Sequence, residues 1–420
     1  MSETRTRPAK RTREQQTRAT REALIRAALK VVSQHGYAKA SVSRITEAAG
    51  VAQGTFYSYF DTHQQLLAEL LPSEGVQLLD ILGRDAQGAE NYFEHEKRTF
   101  LAFFAYMRRN PYFLRVLTEA EIAAPESHAR HMENIEARYV GALRRAQKKG
   151  EIRPQSDKAF SVIAEVLSGS RGHIAIGLSQ QMQDRKAKFP PDWAADTYVK
   201  FIRIGLGEPF AEDVEIPLKP LKIKPAPRPL PSTRTNLVKA AAQLVYEHGY
   251  QATTIARITQ AASVAVGTFY SHFASRQEIL DEVLILIRAE MVEHVREASR
   301  GSKSFLEFEQ RGFIGFFDYL AKNPWFIRIE TEAAVWAPDS YAKHFSDLTA
   351  RYLAAMRRSK AEGQLKAYED HELPMLASIF MAARHYLSTR YVLSGSGSSR
   401  LPAAVSKVYL DLVRFGLQPR

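Results

Sequence analysis

At 420 residues the chain is too long for one ordinary core, and roughly two to four domains follow from length alone. Hydrophobic residues at 45% suffice to fill such cores, while a formal net charge of +12 favours a polyanionic partner, either nucleic acid or an anionic surface. With no cysteine, disulfide scaffolding and thiolate chemistry are excluded. No apolar run approaches the roughly twenty residues of a bilayer span, and the Arg-rich start has no hydrophobic segment behind it, so a soluble, cytoplasmic chain with no membrane partner is expected.

Residues 1–19 carry Arg5, Arg7, Lys10, Arg11, Arg13 and Arg18 and almost no apolar side chains. Such a segment cannot pack a core. It reads as a basic flexible arm that lies along phosphates or enters a minor groove, with a plain solvated tail as the alternative. From Thr20 to His35, Leu24, Ala27, Ala28, Val31 and Val32 form one apolar stripe, and Gly36 stands where a helix closes. Ser41 can cap a second helix bearing Val42, Ile45 and Ala49, which Gly50 ends; a third runs from about Gln53 to Tyr59. Two short helices about a tight turn outline a helix-turn-helix, whose second member enters the major groove. Gln53, Thr55, Tyr57 and Tyr59 can hydrogen-bond bases and phosphates there. Many helical proteins share that outline without touching DNA. Tyr37, Phe56 and Phe60 read as the small core of the unit, and Leu66, Leu67, Leu70 and Leu71 begin a fourth helix.

Residues 72–207 continue as helix after helix. Phe100, Phe103, Phe104 and Met107, then Tyr112, Phe113, Val116 and Leu117, form aromatic stripes on either side of Asn110-Pro111, where Pro111 starts a new helix. Two final helices are expected at about 158–178 and 192–207, the first with a small-residue face suited to close packing. Residues 208–231, EPFAEDVEIPLKPLKIKPAPRPLP, forbid helix and read as a Pro-rich linker in extended conformation. Beyond it the chain repeats. Thr20–Leu71 aligns with Thr233–Leu284 without a gap at an offset of 213, which also carries Phe100 onto Phe313, Asn110-Pro111 onto Asn323-Pro324 and Glu119 onto Glu332. Near the end the offset falls by two, placing Arg203 on Arg414. Each repeat is large enough to own a core, so this is duplication of a whole unit and no short-period solenoid.

RITEAAGVAQGTFYSYF at 44–60 and RITQAASVAVGTFYSHF at 257–273, each behind an amphipathic helix ending His-Gly-Tyr, resemble the N-terminal DNA-binding domain of the TetR/AcrR family of transcriptional regulators. The resemblance covers about fifty residues of each copy. It implies an all-α fold of two units: helix-turn-helix domains at 20–71 and 232–284, followed by helical ligand-binding and dimerisation domains at 72–207 and 285–420. Family members act as two-fold dimers joined by a four-helix interface. With both halves on one chain, an intramolecular pseudo-dimer is expected, helices near 158–178 and 192–207 packing on those near 372–393 and 402–416. The two recognition helices then read successive major grooves, and tethering replaces dimerisation with a millimolar effective concentration. A homodimer of such chains with four recognition helices is the alternative.

The same resemblance assigns DNA contacts residue by residue. Ser41 and Thr254 offer a hydroxyl and helix-start N–H groups to phosphate, and Arg44 and Arg257 are phosphate candidates. Gln53, Thr55, Tyr57 and Tyr59 lie on the first recognition helix, with Thr268, Tyr270 and His272 on the second. Arg276 lies where the family often places a phosphate-contacting Lys; Phe56 and Phe269 are core. Gln53 becomes Val266, Tyr59 becomes His272 and His63 becomes Arg276, so unequal half-sites are expected. Gly50 becomes Ser263; if that turn requires positive φ, Ser adopts it at a cost of about 1 kcal/mol, reshaping or weakening the second turn.

The resemblance further implies a small-molecule ligand, apolar or partly aromatic, in one half or both. Phe100, Phe103, Phe104, Phe113, Phe313, Phe316, Phe317 and Trp325 are the pocket candidates, although aromatic stripes are usually plain core. Glu119 and Glu332 could orient a cationic ligand, but Arg115 and Arg328 four residues earlier favour a helical salt bridge. His128, His131 and Glu133 have helical spacing for a metal; a solvated face is the plainer reading. No metal, cofactor or enzyme activity is expected. The expectation is a ligand-responsive repressor on double-stranded DNA, the alternative a small-molecule-binding or scaffold protein whose DNA binding has decayed.

Overall fold

The computed structural model of the protein describes residues 13–177, 190–207, 232–393 and 400–417. All regular structure among them is helical, and none of these helices is long and apolar enough to cross a membrane. Residues 1–12 of the expected arm and the whole expected linker, 208–231, lie outside the described residues. From Arg13 onward the arm is already helix: α1 spans Arg13–His35, extended outward by the Arg18–Glu22 pair at 3.0 Å one turn apart.

Among the described residues each copy contributes nine α-helices. The first copy has α2 (Val42–Ala49), α3 (Gln53–Phe56), α4 (His63–Asp85), α5 (Tyr92–Arg109), α6 (Pro111–Ala123), α7 (Pro125–Lys148), α8 (Asp157–Gly177) and α9 (Asp192–Leu206). The second has α10 (Thr233–Ala252), α11 (Ile255–Ala261), α12 (Val266–Tyr270), α13 (Arg276–Ala298), α14 (Phe305–Lys322), α15 (Trp325–Trp336), α16 (Pro338–Ala361), α17 (Leu373–Ser388) and α18 (Ala403–Leu417). Pro111 and Pro338 open their helices in the first turn, where the missing N–H costs nothing. The expected boundaries at 71/72 and 284/285 fall inside α4 and α13. Pro72 sits within α4, but Leu67, Leu71, Gly75 and Leu78 bury one continuous stripe across it. Burial at about 1.5–3 kcal/mol per large apolar side chain holds the helix through a missing hydrogen bond.

The chain forms two compact bodies: Met1–Asp80 with Arg109–Met132, and Ile81–Arg108 with Glu133–Arg420. In the first, Leu24, Ala28, Val32, Ile45, Phe56, Leu66 and Leu70 are fully buried and make the core that sets α2 and α3 against α1.

In the second body, α8 and α9 of the first copy pack on α17 and α18 of the second, forming the expected four-helix interface within one polypeptide. Gly169 permits a close approach, since a Cβ there would collide with the ring of Tyr386. Both copies also share one buried ion pair. Arg171 donates to Glu96 at 2.6 Å, tying α8 to α5, and Arg384 donates to Glu309 at 2.7 Å, tying α17 to α14. Removing one partner of such a pair typically costs about 3–5 kcal/mol, so these pairs fix helix register in both halves.

Candidate functional site

Each helix-turn-helix is built by the same local devices. Ser41 caps α2 by accepting from the Arg44 amide at 3.4 Å, and Thr254 caps α11 by accepting from the Arg257 amide at 3.3 Å. The hydroxyls are thus engaged by the helices they begin. The Arg44 and Arg257 guanidiniums each donate to a carbonyl five residues back, Lys39 at 3.1 Å and Ala252 at 3.0 Å, which ties each side chain to the start of its helix. The turn position does require positive φ: Gly50 has 68° and Ser263 has 55°. Ser263 nevertheless keeps the turn, because Val264 donates to Thr259 at 2.9 Å as Val51 does to Thr46 at 3.0 Å. The second turn is strained without being reshaped.

On α3 and α12, Phe56 and Phe269 are fully buried, whereas Tyr57 and the matching Tyr270 are 60% and 58% exposed. Gln53 and Val266 start these helices exposed, and Thr55, Thr268, Tyr59 and His272 are half-buried beside them. Arg276 is turned inward. Its guanidinium lies 4.4 Å from the centre of the Tyr250 ring and donates to the carbonyls of Gln251 and Thr253, at 3.2 and 3.3 Å. The equivalent His63 meets the carbonyl of Ala40. These two residues brace the end of the preceding segment.

Two supports escape a reading focused on the turn. Arg21 donates to Glu69 at 2.6 Å and lies 5.1 Å from the Phe60 ring centre, while Arg234 pairs with Glu282 at 3.1 Å and lies 4.4 Å from Phe273. Glu119 accepts from the Tyr37 amide at 2.7 Å and Glu332 from the Tyr250 amide at 2.5 Å. The adjoining Gly36 and Gly249, at φ 80° and 78°, bring those amides against the carboxylates. The expected helical pairs with Arg115 and Arg328 exist, at 2.7 and 3.5 Å, but the carboxylates also clamp the DNA-binding backbone. Burial pushes the Glu332 carboxyl above its usual range, opposed by the Tyr250 N–H and Arg328. Identity of all four side chains at the offset of 213 was the available signal.

The aromatic candidates divide sharply. A cavity of about 320 Å³ lies between α13, α14, α16 and α17, and Phe316 lines it. Phe100 instead stacks on Tyr198 at 4.6 Å and Phe313 on Tyr409 at 4.1 Å; Phe103 packs edge-on to Phe104, Phe317 packs against Phe313 and Phe316, and Phe113 meets His131. Trp325 is half-buried at the start of α15. None of these seven lines that cavity. His131 is buried, not on a solvated face, and burial, aided by His128, lowers its pKa to about 4.

Residues 24–70 and again 237–283 match the family profile described as bacterial regulatory proteins, tetR family. The TetR-family DNA-binding domain is thus present twice in this chain. It is 36% identical over 78 residues to the uncharacterized HTH-type transcriptional regulator YvdT of Bacillus subtilis, covering 19% of this chain and 40% of that protein. It is 27% identical over 151 residues to the HTH-type transcriptional repressor KstR of Mycobacterium tuberculosis, covering 36% of this chain and 67% of that one. A TetR family transcription regulator of Marinobacter aquaeolei VT8, known as a crystal structure, aligns with 44% of this chain and 94% of its own at 21% identity and a TM-score of 0.37. The chain thus spans 40% to 51% of the length of the two Bacillus subtilis regulators YvdT and YhgD.

Proposed function

We propose that this chain is a ligand-responsive transcriptional repressor of the TetR family that engages double-stranded DNA with both recognition helices, on a pseudo-palindromic operator with unequal half-sites. The observation that carries the reading is the pair of exposed tyrosines, Tyr57 and Tyr270, each set between a threonine-bearing helix face and a fully buried phenylalanine. A large aromatic side chain held in water on a rigid support is suited to a partner surface, and in this motif the partner is the groove and its phosphates. The four-helix packing inside one chain supports intramolecular engagement of the second half-site. The repressor sense draws on KstR, which is named as a transcriptional repressor.

Selection of bound sequences from random DNA tests the reading. Two related but non-identical half-sites, spaced about one helical turn or more between centres, with affinity falling steeply as salt rises, are the expected result. A perfect palindrome would remove the unequal half-sites, and no enriched sequence would remove the regulator.

A further inference from the structure

The cavity of the second copy has an apolar wall, with Met291, Phe308, Phe316, Phe345, Tyr352 and Met381 among its residues. Its charges do not balance. Arg384 is matched by Glu309 at 2.7 Å, Arg296 by Glu293 at 2.5 Å, and Glu330 by the buried Arg288 at 3.3 Å. Two cations are left over. Arg351 and Arg358 lie two turns apart on one face of α16, both exposed and both bordering the cavity, and neither side chain has a partner among the described residues. A cationic ligand would find its one acid, Glu330, already neutralised.

We propose that this cavity binds an amphipathic organic anion, its apolar body among the aromatic and methionine side chains and its acidic head between Arg351 and Arg358. Arginine suits such a head, because its planar N–H fork grips a carboxylate or phosphate through paired hydrogen bonds. A volume of about 320 Å³, at about 30 Å³ per water molecule in the liquid, is the space of roughly ten waters, enough for a short alkyl chain. Part of the apolar lining is peculiar to the second copy: His95, His128, Met132 and Ser168 stand in the first where Phe308, Tyr341, Phe345 and Met381 stand in the second, whereas Arg351 and Arg358 recur there as Arg138 and Arg145. The inference rests on the ligand-responsive reading of the chain and gives that ligand a chemical class. A free carboxylate and a thioester on a phosphate-bearing carrier share this chemistry.

Calorimetric titration of the full chain without DNA, using decanoate, decanoyl-coenzyme A, 1-decanol and decylammonium as probes, tests it. At least one of the two anions should bind about tenfold tighter than the alcohol, and decylammonium weakest of all. The exposed double variant R351Q/R358Q should bring the preferred anion down to the level of the alcohol, with its circular-dichroism melt unchanged, while M381W should weaken anion and alcohol alike. Equal binding of anions and alcohol, tighter binding of decylammonium, no binding of any probe, or an anion preference that survives R351Q/R358Q would each overturn the assignment. Operator selection would remain intact in all those cases, so failure here is separable from failure of DNA binding.

Discussion

Lys200 on α9 donates to Glu372, just ahead of α17, at 2.8 Å, joining the first copy to the second. The pseudo-symmetric positions hold Asp411 and Ala159, so this contact has no reciprocal. Two second copies placed face to face would instead bring Asp411 toward Glu372, a like-charge pair. The interface is therefore matched between unlike halves. K200A should destabilise the chain by about 1–2 kcal/mol, since Lys200 is partly exposed while Glu372 is left buried with weaker compensation from Thr197. The reversal K200E/E372K should recover much of that loss relative to K200E alone, as urea unfolding would read. Light scattering should give the mass of one chain, 47.4 kDa; a doubled mass would restore the four-helix-reader alternative.

The same interface carries a pH dependence. Burial raises the Glu165 carboxyl from 4.5 to about 7, even though the Tyr391 hydroxyl donates to it at 2.8 Å and Arg390 lies 4.0 Å away; Glu136, itself raised by burial, pushes in the same direction. A folded pKa above the unfolded one means that the native state holds the proton longer. Stability from this group is complete below about pH 4.5, falls as pH rises toward 7 and levels off above. The shift corresponds to roughly 3 kcal/mol at most. E165Q should flatten the dependence of the urea midpoint between pH 5 and 8 and stabilise the chain at pH 8. A slope unchanged by the substitution would place the titrating group elsewhere.

Glu332 should link the ligand-binding helices to the second DNA-binding domain. α15 carries both Glu330, on the cavity wall, and Glu332, which accepts from the Tyr250 amide. E332A leaves a buried N–H unpaired, at about 1–3 kcal/mol, whereas E332Q keeps an acceptor and should cost less. Hydrogen exchange at Tyr250 should quicken in E332A and far less in E332Q. Equal exchange in both variants would mean that the carboxylate does not hold that amide.

The recurring local elements were legible in the sequence because caps, turn and apolar stripe act within a few residues: Ser41 and Thr254, Gly50 and Ser263, Phe56 and Phe269 all stand where the pattern puts them. The four-helix interface was legible through the duplication. The cavity was not. Phe100 and Phe313 had the right composition and spacing for a pocket, but they are stacked on Tyr198 and Tyr409, about a hundred residues further along the chain. Helical periodicity marks which face is buried and says nothing of what fills the space opposite. Continuity of α4 through Pro72 was readable only by comparison, since the second copy has Ile285 at that place inside an unbroken helical pattern.

Ser263 stores backbone strain with no packing reason for it. Nothing lies within 4 Å of a Cβ added at the equivalent Gly50, so the left-handed conformation itself is the whole effect. S263G should stabilise the second domain by up to about 1 kcal/mol and G50A should destabilise the first by a similar amount. Opposite shifts of the thermal midpoint would check this; shifts of the same sign would contradict it.

The difference between half-sites should reside in two substitutions on or beside the recognition helices. Gln53 can make a bidentate contact to adenine, whereas Val266, 48% exposed, can offer only an apolar surface such as a thymine methyl would accept. Tyr59 and His272 diverge at the far end of the same short elements, while Thr55, Tyr57 and their counterparts remain identical. V266Q alone should therefore shift one position of one half-site toward adenine, with discrimination of about 1–3 kcal/mol there. V266Q/H272Y should make the operator selected from random DNA more symmetric. Y57A and Y270A should each weaken binding and, on the proposed reading of one recognition helix per half-site, each should relax the sequence requirement of one half only. If either tyrosine variant relaxed both halves equally, or if V266Q left the selected sequence unchanged, base reading would have to be assigned to other side chains.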